Sequence, residues 1–576
     1  MTQLDYIVIV LYFMGLIAVS LLMSRRINNS EDMFIAGRNS SWWLSGLSTY
    51  MTIFSASTFV IWGGVAYKSG LVATVVGMTL GFACFLTGKY LCGKWREMRI
   101  KSPGEFLVVR FGGKTIDFYT IAGILGRGVH TAVALYAIAV VVCALMVLPE
   151  GHFLADSTGH LSVSWAVAIL GIITLFYTMT GGFLAVLMTD MIQFGVLLTM
   201  VVFMLPLSLD AVGGIEGLKT GAPEGFFNLF SNDYTMFWML LWFFINAFTI
   251  GGDWPFVQRY LSNPTKSDAR KSNYLVGVLY LITPIIWYLP AMCFRVLEPN
   301  ANPEQAYILM SERVLMNGML GVMIAAMISA TLSCVSGTLN VFANVFTYDI
   351  YCKKHPGIPD KKKIRIGRLF TMVYGLSILI VALLIPYAGG AEKVVVTILT
   401  MVIGPLYIPS VWGVFSKRIT AKQVIATMII TYIVGFTAKY FLSDITNPKV
   451  LESSIGVLLP VALLALFEYY DYLKGIEDPG YNKIQNLIDP DCDIIATPEM
   501  KRAVKTYSFM AINCFLATLG AIALLLAVLL ATEEFEDNVS STMLHTIYII
   551  LGLCVVYGGY RWYDRYKTSE TKPVTE

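Results

Sequence analysis

The fold class predicted by the sequence is an all-α integral membrane protein with about fifteen transmembrane helices, and three observations predict it. Of 576 residues, 56% are hydrophobic and 14% charged, with a mean hydropathy of +0.68, whereas soluble domains carry about 25% charge. Apolar runs of about 20 residues, the length that crosses roughly 30 Å of hydrocarbon, follow one another along the chain. Lys and Arg fall in alternate connecting loops, as they do when basic loops stay cytoplasmic. The composition excludes a cytosolic enzyme, and a net charge of +3 lacks the basic footprint that nucleic acid requires.

The expected spans, taken in order, begin with 5-24, closed by Arg25 and Arg26 and not preceded by a basic region, which suits a retained stop-transfer helix better than a cleaved signal peptide. Next come 42-66, rich in hydroxyls and ending near Gly63-Gly64; 70-93; and 118-147, which carries Arg127 and His130. One long run is cut at Gly181-Gly182 into 163-181 and 182-207, the latter holding Asp190. Span 234-258 contains Gly251-Gly252-Asp253-Trp254-Pro255, and 273-296 follows it. Then come the serine-rich 314-347, and 366-386, 393-415, 421-442, 454-470, 506-531 and 545-562. The segment 471-505 is too short and polar to bury a core of its own and reads as a cytoplasmic linker.

Basic loops hold Arg25, Arg26 and Arg38; Lys94, Arg96, Arg99, Lys101, Arg110 and Lys114; Arg259, Lys266, Arg270 and Lys271; Lys353, Lys354, Lys361, Lys362, Lys363, Arg365 and Arg368; and Lys417 and Arg418. The intervening loops are nearly bare, for example 149-162, or acidic, as at Glu533, Glu534, Glu536 and Asp537. This parity puts the N-terminus outside and the tail with Arg561, Arg565 and Lys567 inside a plasma membrane, or the inner membrane of a bacterium. Nine cysteines (Cys84, Cys92, Cys143, Cys293, Cys334, Cys352, Cys492, Cys514, Cys554) without CxxC spacing indicate neither a disulfide framework nor a zinc site.

Two spans are interrupted. Lipid offers nothing to freed backbone groups, so a broken helix at membrane depth must be buried in protein or line a cavity. The second span has the hydroxyl run Ser48, Thr49, Thr52, Ser55, Ser57 and Thr58, and the seventh has its Gly-Gly-Asp-Trp-Pro; short hydroxyls compete for backbone partners and proline breaks a helix. Spans two to six (42-207) and seven to eleven (234-415) form two groups of five, and an odd number threads the second group from the opposite side. That is an inverted repeat with an interrupted helix first in each half, the arrangement that marks substrate and ion sites in discontinuous-helix transporters. Two added helices (421-470) and two C-terminal ones (506-562) complete the chain. The alternative is that the small residues only permit close helix packing.

Several stretches resemble the solute:sodium symporter family: Met33-Phe34-Ile35-Ala36-Gly37-Arg38; Tyr177-Thr178-Met179-Thr180-Gly181-Gly182 leading to Thr189-Asp190-Met191-Ile192-Gln193; Val257-Gln258-Arg259; Ser329-Ala330-Thr331-Leu332-Ser333 through Gly337, Asn340 and Tyr348-Asp349; and Gly404-Pro405 with Gly413, Phe415, Lys417 and Arg418. The resemblance covers the first four-fifths of the chain. It implies a LeuT-type fold of five plus five inverted helices, no enzymatic activity, and Na+ as coupling ion with no other cofactor.

Sodium is a hard ion that favours oxygen ligands. The resemblance implies a sodium site made by backbone carbonyls of Met51, Phe54 and Ala330, the hydroxyl of Ser333, and a position occupied here by Cys334. A thiol suits a hard cation poorly, so this site is expected to be weak, completed by water or replaced by H+ coupling. Asp190 within the sixth span needs a partner or a cation, since a buried carboxylate alone costs several kcal/mol. Relatives with a second sodium site pair this Asp with two serines; the matching positions are Ser336 and Gly337, so one hydroxyl is missing. A structural role for Asp190, bonding Thr189 or a neighbouring helix, is the alternative.

The solute is expected beside the interruptions, at Ser57, Thr58 and Phe59, at Gly77 on the third span, at Asp253 and Trp254, and at Tyr280 on the eighth. Hydroxyls with aromatic walls suit a small polar organic molecule. In galactose-type relatives the positions of Thr58, Gly77, Asp253 and Tyr280 carry other residues, so galactose specificity is not expected. His130 matches a position where some relatives, sialic acid carriers among them, have an arginine, and Arg127 lies one turn earlier. Either is suited to an anionic group, or else His130 bonds a backbone carbonyl and Arg127 snorkels to the loop.

Five histidines without HExxH spacing offer no catalytic metal site. Gly113-Lys114-Thr115 lacks the earlier glycine and the preceding strand of a phosphate loop. The resulting expectation is a sodium-coupled symporter of a small polar organic solute, best a sugar or sugar derivative, working by alternating access. Proton coupling, an organic-anion or monocarboxylate solute, and an ion channel are the alternatives. The partners expected are the solute, Na+ and the lipid bilayer, with no obligate protein partner.

Overall fold

A computed structural model describes residues 1–24, 36–149, 151–180, 183–388, 390–442, 447–488, 498–532 and 537–570. Arg25, Arg26, Met33, Phe34, Ile35, Gly181, Gly182, Cys492, Glu533, Glu534 and Glu536 lie outside these residues. Among the described residues the chain is helical, apart from two isolated bridges in the loop after residue 145.

The main helices are α1 (Gln3–Met23), α2 (Trp42–Ile53), α3 (Thr58–Ser69), α4 (Val72–Glu97), α5 (Gly113–Leu145), α6 (Val163–Thr180), α7 (Phe183–Asp210), α8 (Met236–Gly252), α9 (Trp254–Leu261), α10 (Lys266–Leu297) and α11 (Met319–Lys354). They continue as α12 (Lys361–Ala388), α13 (Ala391–Phe415), α14 (Ala421–Phe441), α15 (Pro448–Leu473), α16 (Pro498–Ala531) and α17 (Ser540–Arg561). Twelve are long and apolar enough to cross a membrane, and the pairs α2/α3 and α8/α9, bent by 61° and 50°, bring the number to fourteen. The structure thus carries 12 to 14 such spans among the described residues, not the expected count of fifteen. The remaining expected span is α6, whose apolar stretch Val163–Leu175 is shorter.

Helix α11 forms the centre. Its apolar window is fully buried, and it packs against α5, α7, α1 and α12. Its run of Gly, Ala, Ser and Thr lets the neighbouring backbones approach closely. The outer helices α1, α14, α15, α16 and α17 bury between 11% and 33% of their apolar windows, leaving leucine, isoleucine and valine outward as a bilayer demands. Around the centre the packing exchanges between the two quintets. Helix α10, second in its group, lies on α2, which opens the other group; α8, which opens the second group, lies on α4, second in the first.

Three arginines counted as loop cations are buried. Arg96 donates to the carbonyls of Asn263 (2.6 Å) and Pro264 (2.7 Å), and Arg259 is 0% exposed. Arg110 lies on the short helix Pro103–Phe111, which Ser102 caps by accepting from Glu105 N–H. Its guanidinium donates to the carbonyls of Gly413 (3.2 Å), Ser416 (3.1 Å) and Ile419 (3.0 Å) at the end of α13, and it pairs with Asp478 at 2.5 Å. The expectation of loop charges fails because the guanidiniums of Arg96 and Arg110 supply donors to carbonyls left open where a helix or turn ends, and that of Arg259 faces Ser48 and Asp190. Through Asp478 the short helix Pro479–Gln485 of the linker is docked beneath Pro103–Phe111.

Candidate solute and cation site

The first interruption grows out of its hydroxyls. Thr49 and Thr52 bond back to the carbonyls of Ser45 and Ser48, both at 2.8 Å, and Phe54 leaves the helix with ψ 134°. The chain resumes helicity at Thr58, whose N–H reaches Ser55 O at 3.0 Å. The freed N–H of Ala56 is accepted by the hydroxyl of Thr331 on α11 at 3.0 Å. This clasp ties the break to the central helix, while the last carbonyls of α2 lie beyond the reach of intrahelical donors.

The second interruption lies at Asp253, with ψ 131° and a proline at the start of α9. Gly251 and Gly252 are needed for contact: a Cβ on Gly251 would sit 2.4 Å from Leu91 Cδ2, and one on Gly252 would sit 3.0 Å from Val411 Cγ2. Here the freed carbonyls are taken. Trp95 Nε1–H donates to Gly251 O at 2.8 Å and Tyr260 O–H donates to Ile250 O at 2.9 Å. The Asp253 carboxylate accepts from Tyr407 O–H at 2.6 Å and lies 3.0 Å from Arg127 Nη1. The two breaks therefore differ chemically: the first is clasped to α11 through a backbone N–H, and the second has its carbonyls capped by side chains.

Between the breaks lies a cavity with about 110 Å³ open to the centre of a water-sized sphere. One water needs at least about 10–15 Å³ of such space, so the cavity has room for several. Ser57, Thr58, Gly77, His130 and Tyr280 of the expected solute residues line it, together with Arg127. Phe59, Asp253 and Trp254 do not. Phe59 belongs to a buried aromatic stack behind the wall, with ring centroids 5.2 Å from Phe54 and 4.2 Å from Tyr307. Trp254 packs against Phe342 at 5.0 Å, and Asp253 is held in its ion pair. Sequence reasoning passed over Thr52, Trp62, Trp242, Asn246 and Thr249, which also line the cavity. On α8 the spacing of Trp242, Asn246 and Thr249 by four and three was the available signal.

The expected cation residues are all buried and belong to α2, α7 and α11 and the break after α2, and these three helices pack on one another. Met51 and Phe54 stand at the end of α2 and Ala330, Ser333 and Cys334 on α11, two helices joined by Ala56 to Thr331 and by Ser48 to Ser333 through Asp190. Asp190 is not a bare carboxylate. It accepts from the hydroxyls of Ser48 and Ser333 and lies 3.7 Å from Arg259 Nη2. Arg259 also donates to Ser48 Oγ at 3.0 Å and to Pro255 O at 2.9 Å. A Cβ on Gly337 would lie 3.6 Å from Arg259 Nη2, so the guanidinium stands where the missing hydroxyl would have faced. Ser336 bonds back to Ser333 O at 3.1 Å. Ser329 accepts from Tyr12 of α1 at 3.2 Å, so Ser329, Ser333 and Ser336 have three different partners. Thr189 donates its hydroxyl to the carbonyls of Ala185 and Val186 in its own helix at 3.0 and 3.1 Å. Among the described residues no His, Cys, Asp and Glu group could hold a metal by side chains alone.

The family model for the sodium:solute symporter family matches residues 33–431. The chain is 25% identical over 482 residues to a sodium/myo-inositol cotransporter 2 of Sus scrofa, covering 75% of this chain and 69% of that one. It is 26% identical over 469 residues to a sodium/glucose cotransporter of Vibrio parahaemolyticus, covering 74% and 83%. Its fold is similar to that of a Na+-coupled sialic acid symporter solved in a substrate-bound outward-open state, with a TM-score of 0.71 at 21% identity over 83% of this chain and 99% of that one.

Proposed function

The chain belongs to the sodium:solute symporter family, and from that premise we propose that it carries a small polar organic solute, a sugar or sugar derivative, by alternating access. Sodium-coupled symport is the family's activity, Na+ is the coupling ion, and the protein is a multi-pass membrane protein rather than an enzyme. The identity of the solute, the membrane and the orientation belong to the proposal.

The observation that carries it is the cavity flanked by both helix interruptions, with Thr52, Ser57, Thr58, Asn246 and Thr249 among aromatic walls. Few polar groups in an aromatic pocket suit a molecule with both C–H faces and hydroxyls. In the proposed cycle sodium binds at the Met51, Phe54, Ala330, Ser333 and Cys334 positions. Its charge draws the carbonyl end of α2 against α11, holding Thr58 and Ser57 in place for the solute. With basic loops inside, α3 and the first half of α8 rise toward the outer face, so the cavity opens outward while α9 and its aromatic neighbours close the inner route. The N-terminus then lies outside and the C-terminus inside a plasma membrane, the inner membrane in a bacterium.

A single coupling cation follows from Asp190, which Arg259 and two hydroxyls already engage. Uptake into proteoliposomes, screened over sugars, sugar acids, monocarboxylates and amino acids under sodium or proton gradients, tests the reading. Saturable uptake driven by sodium is expected. Uptake driven by protons alone would move the coupling to H+, and currents without saturable uptake would make the protein a channel.

A further inference from the structure

The hairpin that joins α11 to α12 concentrates charge. Residues 353–368 hold seven Lys and Arg against one carboxylate, Asp360. In the other basic loops several cations are engaged by the protein itself: Arg96 and Arg110 by backbone carbonyls, Lys266 by Glu97 at 2.7 Å, Arg418 by Glu468 at 3.5 Å. In this hairpin Lys354, Lys361, Lys362, Arg365 and Arg368 are exposed, and none of the five has an ion pair among the described residues.

The two sides of the hairpin are held together. Phe346 near the end of α11 stacks on Phe370 of α12 at 4.4 Å, and Asp349 accepts from Ser102 at 2.6 Å. Like charges fixed this close repel one another unless an anion sits among them. The outward stripe of α12 shows at what depth they stand. Leu369, Val373, Leu376, Ile380 and Leu384 are 45% to 59% exposed, a surface suited to hydrocarbon, while Tyr374, Ile378 and Ala382 turn inward. Lys362 and Arg365 continue that stripe toward the hairpin in steps of three and four residues, so they share its face. They therefore stand where acyl chains give way to headgroups. Clusters of four to eight Lys and Arg directly beyond a membrane helix attract anionic lipid, and a guanidinium matches a phosphate with paired donors. A free phosphate would use the charges alone; a phospholipid uses the charges and the apolar stripe that begins one turn away.

We propose that the start of α12 binds an anionic phospholipid, its phosphate on Arg365 and Arg368 beside Lys361 and Lys362, and an acyl chain along Leu369, Val373 and Leu376. Its place in the inner leaflet rests on the orientation proposed above. The site shares no residue with the solute cavity.

The test titrates phosphatidylglycerol or phosphatidylcholine onto the full chain in detergent and follows bound lipid by native mass spectrometry, with no solute or gradient present. Phosphatidylglycerol is expected to bind roughly thirtyfold more tightly, from about fivefold for each arginine, with the preference shrinking as salt rises. Arg365→Gln/Arg368→Gln is expected to bring the two lipids within a few-fold of each other at an unchanged Tm. Lys501→Gln/Arg502→Gln, which removes two exposed cations from the start of α16, is expected to leave the preference intact. Equal binding of both lipids by the parent chain, or an equal loss in the α16 variant, would overturn the assignment. So would displacement of phosphatidylglycerol by inorganic phosphate at the same concentration, since the stripe would then contribute nothing. Should the α12 variant show a lowered Tm, the lipid comparison and salt dependence of the parent chain decide. The symport reading stands or falls on uptake and is untouched by these results.

Discussion

Asp190 illustrates what single residues decide here. Its carboxylate accepts from two hydroxyls and is ion-paired with the Arg259 guanidinium, which itself donates to Ser48, in one buried network. Removing one partner of a buried ion pair costs about 3–5 kcal/mol, because the survivor is stranded. Asp190→Ala is therefore expected to abolish sodium-driven uptake and to lower the Tm, with Asp190→Ala/Arg259→Ala regaining Tm but not uptake. A Tm that stays low in the double variant would show that the pair is not what the single variant breaks. Cys334 offers the converse case. Cys334→Ser puts a hard oxygen where a soft sulfur stands, so the half-saturating sodium concentration is expected to fall several-fold in uptake assays; an unchanged value would take residue 334 out of the cation site. The need of Asp190 for a partner was legible in the sequence. The partner was not, because Arg259 reads as a loop cation until α9 is seen to carry it back under the break.

At the scale of elements, both interruptions were legible from composition, since hydroxyl runs and a Gly-Gly-Asp-Trp-Pro string cannot sustain a straight helix in lipid. Their different chemistry was not legible. Trp95, Tyr260 and Tyr407, which seal the second break, come from α4, α9 and α13, and no local pattern announces such long-range donors. For the same reason Asp253 and Trp254 read as solute contacts from the sequence, although neither reaches the cavity. At the first break the clasp is Thr331. Thr331→Val keeps the shape but leaves the Ala56 N–H without an acceptor, which costs about 1–3 kcal/mol. Where that cost falls on the sodium-bound geometry, sodium affinity drops by roughly fivefold or more. Sodium-dependent thermal stabilisation measures it, and an unchanged sodium midpoint would show that the clasp does not shape the cation site.

At the scale of the whole molecule, the order of spans and the two quintets follow from a ruler of about 20 residues and the alternation of basic loops. The packing of α10 on α2 and of α8 on α4 agrees with a threading in which the quintets oppose each other. The part played by the linker could not be read this way, since a short polar segment has no periodic signature. The structure instead joins Asp478 to Arg110 and seats Gly480 against Arg110's own carbonyl, where a Cβ would come within 2.0 Å of the oxygen. Asp478→Ala is expected to loosen Pro479–Gln485 without unfolding the bundle, because three carbonyls still hold Arg110. Limited proteolysis of the variant should cleave near 474–488 several-fold faster than in the parent chain, and equal rates would mean that the ion pair does not fix this segment.

That anchoring also bears on how the protein can be handled. A fluorescent domain or affinity handle spliced between residues 474 and 486 would pull at the terminus of α13, whose opposite end borders the cavity. Such an insertion would act as a mechanical perturbation rather than a neutral label, and a shifted solute preference in the fusion would report the strain of the splice instead of the chemistry of the pocket.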